Sequence, residues 1–195
     1  MINGLHRIKT AVWYRLFFKR IGKGSLIRNP ILICNPEFIE IGEGVIIRDG
    51  ARLEVVKDGV TQEPTLRIGS NTNIEQNVHI VCHSSVIIGD NVSITANCAI
   101  VDTTHPYHNV QLLAKVGSRV STEPSFVKIG DGAFIGYGTI IMPNVHIGEG
   151  AIIGAHSLIN RHVEPYTVAC GSPAKTIKVY DPATREWVKI RREPV

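Results

Sequence analysis

Of the eight histidines in the 195-residue sequence, His105 has the setting best suited to proton transfer. It lies early in the run VDTTHPYHNVQLLAKVGSRVSTEPSF (residues 101–126), followed at once by Pro106 and three positions on by His108. A proline ring restricts the backbone beside the imidazole. An imidazole with an ordinary pKa of about 6.5 can take a proton from a weakly acidic hydroxyl and return one to a leaving group. The competing chemistry is metal ligation, with His79, His105 and His108 as three nitrogen ligands to a catalytic zinc. His79, His83, His146, His156 and His162 are expected to be structural. Cys34, Cys82, Cys98 and Cys170 lack CxxC spacing and are expected to fill small apolar spaces, with no disulfide framework or zinc knuckle.

The elements that must position His105 are written in a repeat. Aliphatic residues recur every sixth position at Ile21, Ile27, Ile33 and Ile39, shift by two, and continue at Ile41, Ile47 and Leu53. The phase returns at Ile68, Ile74, Ile80 and Val86, shifts by two to Ile88, Ile94 and Ile100, and runs unbroken from Ile129 to Ile159. Six helical steps of about 100° would scatter these side chains around an axis, so a helix is excluded. One short strand and one corner per hexad satisfy the spacing, and three hexads close a triangular coil. The spacing therefore predicts a stack of coils with an aliphatic column inside. Glycines after the aliphatic (Gly42, Gly69, Gly89, Gly130, Gly136, Gly148, Gly154) are expected to supply unusual corner dihedrals. The two-residue shifts are expected to be bulges.

Two segments break the phase, residues 56–65 and residues 101–126. The first is expected to be a short polar hairpin. The second is too long to be a neutral connection and is the expected functional loop. Around residues 4–20, Leu5, Ile8, Val12 and Leu16 fall on one helical face, predicting a cap over the first coil. A second reading of this helix is peripheral contact with the inner face of a membrane through Arg7, Arg15, Lys19 and Arg20. After residue 178 a basic tail is expected, giving a division into 1–20, 21–178 and 179–195.

Charge is distributed unevenly. Residues 1–36 hold seven Lys/Arg and no acid, residues 37–172 hold eight against 14 Asp/Glu, and residues 173–195 hold six against three. An acidic middle excludes a continuous groove for nucleic acid. No apolar run reaches the roughly 20 residues of a membrane span, and no secretory leader opens the chain, so a cytoplasmic protein is expected.

The runs IGDNVSITANCAIVDTTHPYHN, VKIGDGAFIGYGTIIMPNVHIGEGAIIGAHSLI and VEPYTVACGSPAK resemble the hexapeptide-repeat acyltransferases. The likeness is to the maltose and galactoside O-acetyltransferases, and more so to sugar O-acetyltransferases of lipopolysaccharide and exopolysaccharide synthesis. It covers about residues 20–178. The resemblance implies an all-β, left-handed parallel β-helix, assembled as a homotrimer with active sites in the grooves between subunits.

It also implies roles. The histidine of the HPxH loop, matched by His105, is the general base that lets an acceptor hydroxyl attack the thioester of acetyl-CoA directly. Tyr137, Ala155, Asn160, Arg161, Lys175 and Lys178 match positions that hold CoA, the two lysines suiting its phosphates as point charges. Glu75 stands where relatives usually carry asparagine and touch the acceptor, and His83 falls at another acceptor position. The Glu75 carboxylate leaves O- and N-transfer both open. No metal is implied. The rival readings are a zinc carbonic anhydrase on the same solenoid and a binding scaffold without catalysis.

Overall fold

A computed structural model describes residues 6, 8–57 and 63–190, and in it the six-residue phase becomes a left-handed parallel β-helix. The first face stacks β1 (Arg20–Ile21), β4 (Ile39–Ile41), β7 (Thr65–Ile68), β10 (Ser85–Ile88), β13 (Phe126–Ile129) and β16 (Val145–Ile147). The second stacks β2 (Leu26–Ile27), β5 (Ile46–Ile47), β8 (Asn73–Ile74), β11 (Ser93–Ile94), β14 (Phe134–Ile135) and β17 (Ile152–Ile153). The third stacks β3 (Leu32–Cys34), β6 (Arg52–Val55), β9 (His79–Cys82), β12 (Ala99–Val101), β15 (Ile140–Ile141) and β18 (Leu158–Ile159). One strand from each face makes a coil, so the chain climbs through six of them.

Parallel pairing in register carries the aliphatics into columns. Ile27, Ile47, Ile74, Ile94, Ile135 and Ile153 follow one another up the second face, every one fully buried. Each such side chain contributes roughly 1.5–3 kcal/mol. The small residues four positions on, among them Val45, Thr72, Val92, Cys98, Ala133 and Ser157, are buried at the corners.

The shifts in phase are not bulges. Ile39 and Ile41 belong to one strand, β4, as Val86 and Ile88 belong to β10, and in both strands alternate side chains point inward. The two extra residues lie between the third face and the first, where Ile80 and Val86 are six apart but Ile141 and Val145, at the same register, are four apart. Thus Arg20 pairs with Glu40 and Thr65 with Ser85, twenty positions apart, whereas Val127 pairs with Val145, eighteen apart.

The glycines after the aliphatics also serve a purpose other than the expected one. Left-handed dihedrals fall two residues later, as at Gly44 (φ 66°) and Asn71 (φ 55°). At Gly69 the limit is space, since a Cβ would sit 2.4 Å from the backbone of Gly89 in the next coil.

The amino-terminal segment is shorter and turned differently from the expected helix. It is π-helical over Thr10–Tyr14 and α-helical over Arg15–Phe17, Phe18 is extended, and Arg20 already belongs to β1. Leu5 and Arg7 lie outside the described residues. The segment meets the first coil through Thr10, whose Oγ1 accepts the Ile27 N–H at 3.0 Å, and through buried Phe18. The open edge of the second face needs hydrogen-bond partners more than apolar cover, and a hydroxyl supplies one. Ile8, Val12 and Leu16 face outward instead.

The expected polar hairpin over residues 56–65 lies partly outside the described residues, since residues 58–62 are not described. The expected boundary at 178 falls inside a strand. β19 (Thr167–Gly171), β20 (Ala174–Asp181) and β21 (Glu186–Lys189) extend the second face as an antiparallel meander, so the tail is part of the sheet.

Gly69→Ala needs no unusual dihedral yet forces backbone apart between coils, and is expected to cost about 1–3 kcal/mol. Gly117→Ala, where a Cβ meets nothing within 4 Å, should stay within about 0.5 kcal/mol of the parent. Thermal or urea unfolding of the two variants side by side measures the difference.

Candidate active site

The long loop leaves the fourth coil at β12 and returns at β13, and it is tied down at both ends by one residue. Asp102 is fully buried, and its carboxylate accepts the backbone N–H groups of His83 (2.5 Å), Ser84 (2.8 Å) and Ser85 (2.7 Å). Those three residues form the corner leading into β10, so the start of the loop is fixed to the coil below it. The Asp102 carbonyl accepts the Ser125 hydroxyl from the far end of the loop. A second rung joins Ser121 N–H to the Thr104 carbonyl at 3.1 Å. The neighbouring Cys82 thiol is pushed well above its ordinary range by burial and by the Asp102 charge, so it is no nucleophile.

His105 follows three residues after this anchor. Its Nδ1 lies 2.8 Å from the Arg119 carbonyl. A carbonyl oxygen only accepts, so Nδ1 carries a proton, and in the neutral ring Nε2 holds the lone pair. The tautomer required of a general base is therefore set by the backbone across the loop. Arg119 organises that backbone as well. Its guanidinium donates to the carbonyls of Asn109 (3.1 Å), Leu112 (2.7 Å) and Ala114 (2.6 Å), gathering the loop around one cation.

Between the loop and the outer side of the third face is a cavity of about 610 Å³. Val101, Thr103, His105, Gly117, Ser118 and Val120 form the loop side of it. The sheet side consists of Arg52, Glu54 and Val56 from the second coil with His79 and Val81 from the third. Arg52 and Glu54 form an ion pair, and Arg52 Nε has no hydrogen-bond partner among the described residues. Burial, and then the Arg52 charge, lower the His79 pKa from the ordinary imidazole value and so favour its neutral form. Sequence reasoning missed Arg52 and Glu54 and set His79 aside as structural. A signal was present, because Arg52 and His79 each directly precede an inward aliphatic, Leu53 and Ile80, and the pairing of β6 with β9 sets them side by side.

The other expected site residues are dispersed. Glu75 lies at the corner before the third face, where Arg48 Nε reaches both its carboxylate oxygens at 2.9 Å, and it does not line the cavity. His83 is buried, with Nδ1 3.3 Å from the Ser84 hydroxyl. Tyr137 and Ala155 occupy the corner before β15 and β18, at one edge of the third face, and His105 with Asn160 and Arg161 lies at the opposite edge. Tyr137 stacks edge-on against His156 at 5.3 Å, and its hydroxyl accepts from Asn97. Lys175 and Lys178 lie on β20, at the rim of the second face. One chain therefore brings Asn160 and Arg161, but not Tyr137, Ala155, Lys175 or Lys178, to the edge that carries His105. Among the described residues, no group of three or more His, Cys, Asp or Glu could hold a metal ion, so His79, His105 and His108 do not form a zinc site.

The bacterial transferase hexapeptide family (six repeats) matches residues 126–161. The chain is 28% identical over 186 residues to the putative lipopolysaccharide biosynthesis O-acetyl transferase WbbJ of Escherichia coli, covering 93% of this chain and 91% of that one. It is 36% identical over 113 residues to the galactoside O-acetyltransferase of Escherichia coli, covering 58% of this chain and 53% of the relative. The solved structure of AntD, an N-acyltransferase from Bacillus cereus in complex with dTDP and 3-hydroxybutyryl-CoA, superposes with a TM-score of 0.70 at 23% identity, covering 87% of each chain, a likeness of fold. With its coils stacked in a six-residue repeat and a histidine loop projecting from them, the chain is similar to the hexapeptide-repeat acyltransferases.

Proposed function

We propose that this protein is an acetyl-CoA-dependent acetyltransferase that acetylates a sugar hydroxyl in the synthesis of a cell-surface polysaccharide or lipopolysaccharide. The observation that carries the reading is the Nδ1 contact of His105 with the Arg119 carbonyl, in a residue that lines the cavity between the loop and the third face. His105 Nε2 takes the proton of the acceptor hydroxyl as its oxygen bonds to the thioester carbonyl carbon. The protonated imidazole then gives that proton to the sulfur as the carbon–sulfur bond breaks, and His105 returns to its starting state. No covalent enzyme intermediate is needed. The remaining acceleration comes from holding the two substrates in contact.

A homotrimer is part of the proposal. Tyr137 and Ala155 sit on the edge of the third face remote from His105, so packing of prisms edge to edge would bring the donor-binding corner of one copy to the histidine edge of the next. Lys175 and Lys178 would meet the phosphates of CoA, and Asn160 and Arg161 would border the same groove. The acceptor would enter between the loop and Arg52, Glu54 and His79. Glu75, held by Arg48, would shape that groove from its corner, and buried His83 would support it from beneath. Catalysis in the cytoplasm fits the supply of acetyl-CoA. Transfer to an amine is the second reading, favoured by the carboxylate of Glu54 in the cavity, which suits an ammonium group.

His105→Ala is expected to lower acetyl transfer by roughly 10² to 10⁴ while the unfolding midpoint stays put, and unchanged CoA release would overturn the assignment. Offering hydroxyl and amino sugars in one CoA-release screen separates O- from N-transfer. Arg119→Met should leave KM for acetyl-CoA alone and reduce kcat about tenfold or more through misplacement of the imidazole. Removing both lysines, Lys175→Ala with Lys178→Ala, should instead raise KM for acetyl-CoA roughly tenfold with kcat retained.

A further inference from the structure

The amino-terminal helical segment has an outer face that neither the solenoid nor the catalytic reading uses. On its inner side Thr10 and Phe18 are buried and Tyr14 is half-buried. On its outer side Ile8, Val12, Trp13, Leu16 and Phe17 are 62, 53, 62, 73 and 59% exposed. Apolar side chains scattered singly over a surface are ordinary, but five on one short segment form a patch that marks contact with something.

The charges around the patch indicate its partner. Lys9, Arg15, Lys19, Arg20 and Lys23 lie within the segment or just after it, and no acid occurs in the first 36 residues. Lys9 lies over the Tyr14 ring at 5.2 Å, and Arg15 donates to the Gly22 carbonyl at 3.3 Å, and among the described residues neither charge has an acidic partner. Among the described residues only Lys19 has an acidic partner there, Glu40 on the next coil at 2.9 Å. An apolar strip containing a tryptophan and accompanied by cations fits the headgroup boundary of a bilayer, where aromatic rings settle and basic side chains meet lipid phosphates. A protein interface would be depleted in lysine. No helix among the described residues is long and apolar enough to cross a membrane, so the contact lies in the plane of the interface.

We propose that the outer face of residues 8–23 docks this protein on an anionic phospholipid surface. The helix covers the first coil and the His105 loop leaves the fourth, so docking leaves the catalytic cavity open. The proposal does not depend on the acyl-transfer reading.

The test is co-sedimentation of the full chain with vesicles of phosphatidylcholine alone and of phosphatidylcholine mixed with phosphatidylglycerol, at low and high salt. Binding to the mixed vesicles, weakened by salt, is expected, with little binding to the neutral ones. Each basic side chain near the surface should contribute about fivefold, so Lys9→Ala with Lys23→Ala should weaken binding by about 25-fold. In a Trp187→Phe background, Trp13 emission should shift to the blue on binding. Val12→Glu with Leu16→Glu should abolish binding without changing the molar mass by light scattering or turnover of a soluble acceptor. Failure to bind mixed vesicles overturns the proposal, as does equal, salt-insensitive binding to both vesicle types. A fall in molar mass in the double glutamate variant would identify the patch as a contact between copies of the chain and overturn it too.

Discussion

Every coil of this protein is the hydrogen-bonding template of the next, and that single constraint governs what the sequence is allowed to do. Parallel strands only two to four residues long can stay paired through six coils only if each coil closes in step with the one beneath it. Lengthening is tolerated where it preserves the inward and outward alternation, as in the two extra residues that the lower coils carry between the third face and the first. Any other addition must leave at a corner and return to the same corner. The His105 loop is such an addition, inserted between the fourth and fifth coils so that Val86 still pairs with Val127 across it. Chemistry on this scaffold is therefore confined to corners and to the outward positions beside them.

That constraint separates what could be read in the sequence from what could not. The aliphatic columns were legible because burial repeats with the coil, and so was the loop, as the longest break in phase. The glycines were legible as a pattern but not as a cause. Gly69 is required by the approach of Gly89, a contact between coils that no single hexad contains. The outward column of Arg52 and His79 was available from the same phase that placed Leu53 and Ile80, had the residues one step before each aliphatic been followed up the stack. The role of Arg119 was not available. Residues 102–125 carry no repeat, and the meeting of His105 with a carbonyl fourteen residues away depends on the path of a backbone drawn together by a guanidinium.

The helix at the amino end shows how a correct pattern can be assigned the wrong side. Apolar residues at helical spacing ordinarily mark the face turned to the core. Here the surface to be covered is the open edge of a sheet, with unpaired backbone groups, and Thr10 meets the Ile27 N–H there. The apolar side is left outside because the first coil offers it little to pack against. A stripe that would have been absorbed by a bundle remains available at the end of a solenoid.

The His105 loop has a related imbalance. Asp102, Ser125 and Arg119 secure its base and its backbone through charges and carbonyls. Its apolar side chains take little part, for Tyr107, Val110 and Leu113 are among the most exposed large residues of the chain. A loop held by polar contacts at its root and apolar at its tip is shaped before anything covers it, so covering it costs little further ordering. In the proposed trimer the surface that covers the tip belongs to the neighbouring prism, whose Tyr137 and Ala155 edge carries the expected CoA positions. On that arrangement, assembly and completion of the active site are one event, since the contact that buries the tip also supplies the wall on which the acyl donor would lie.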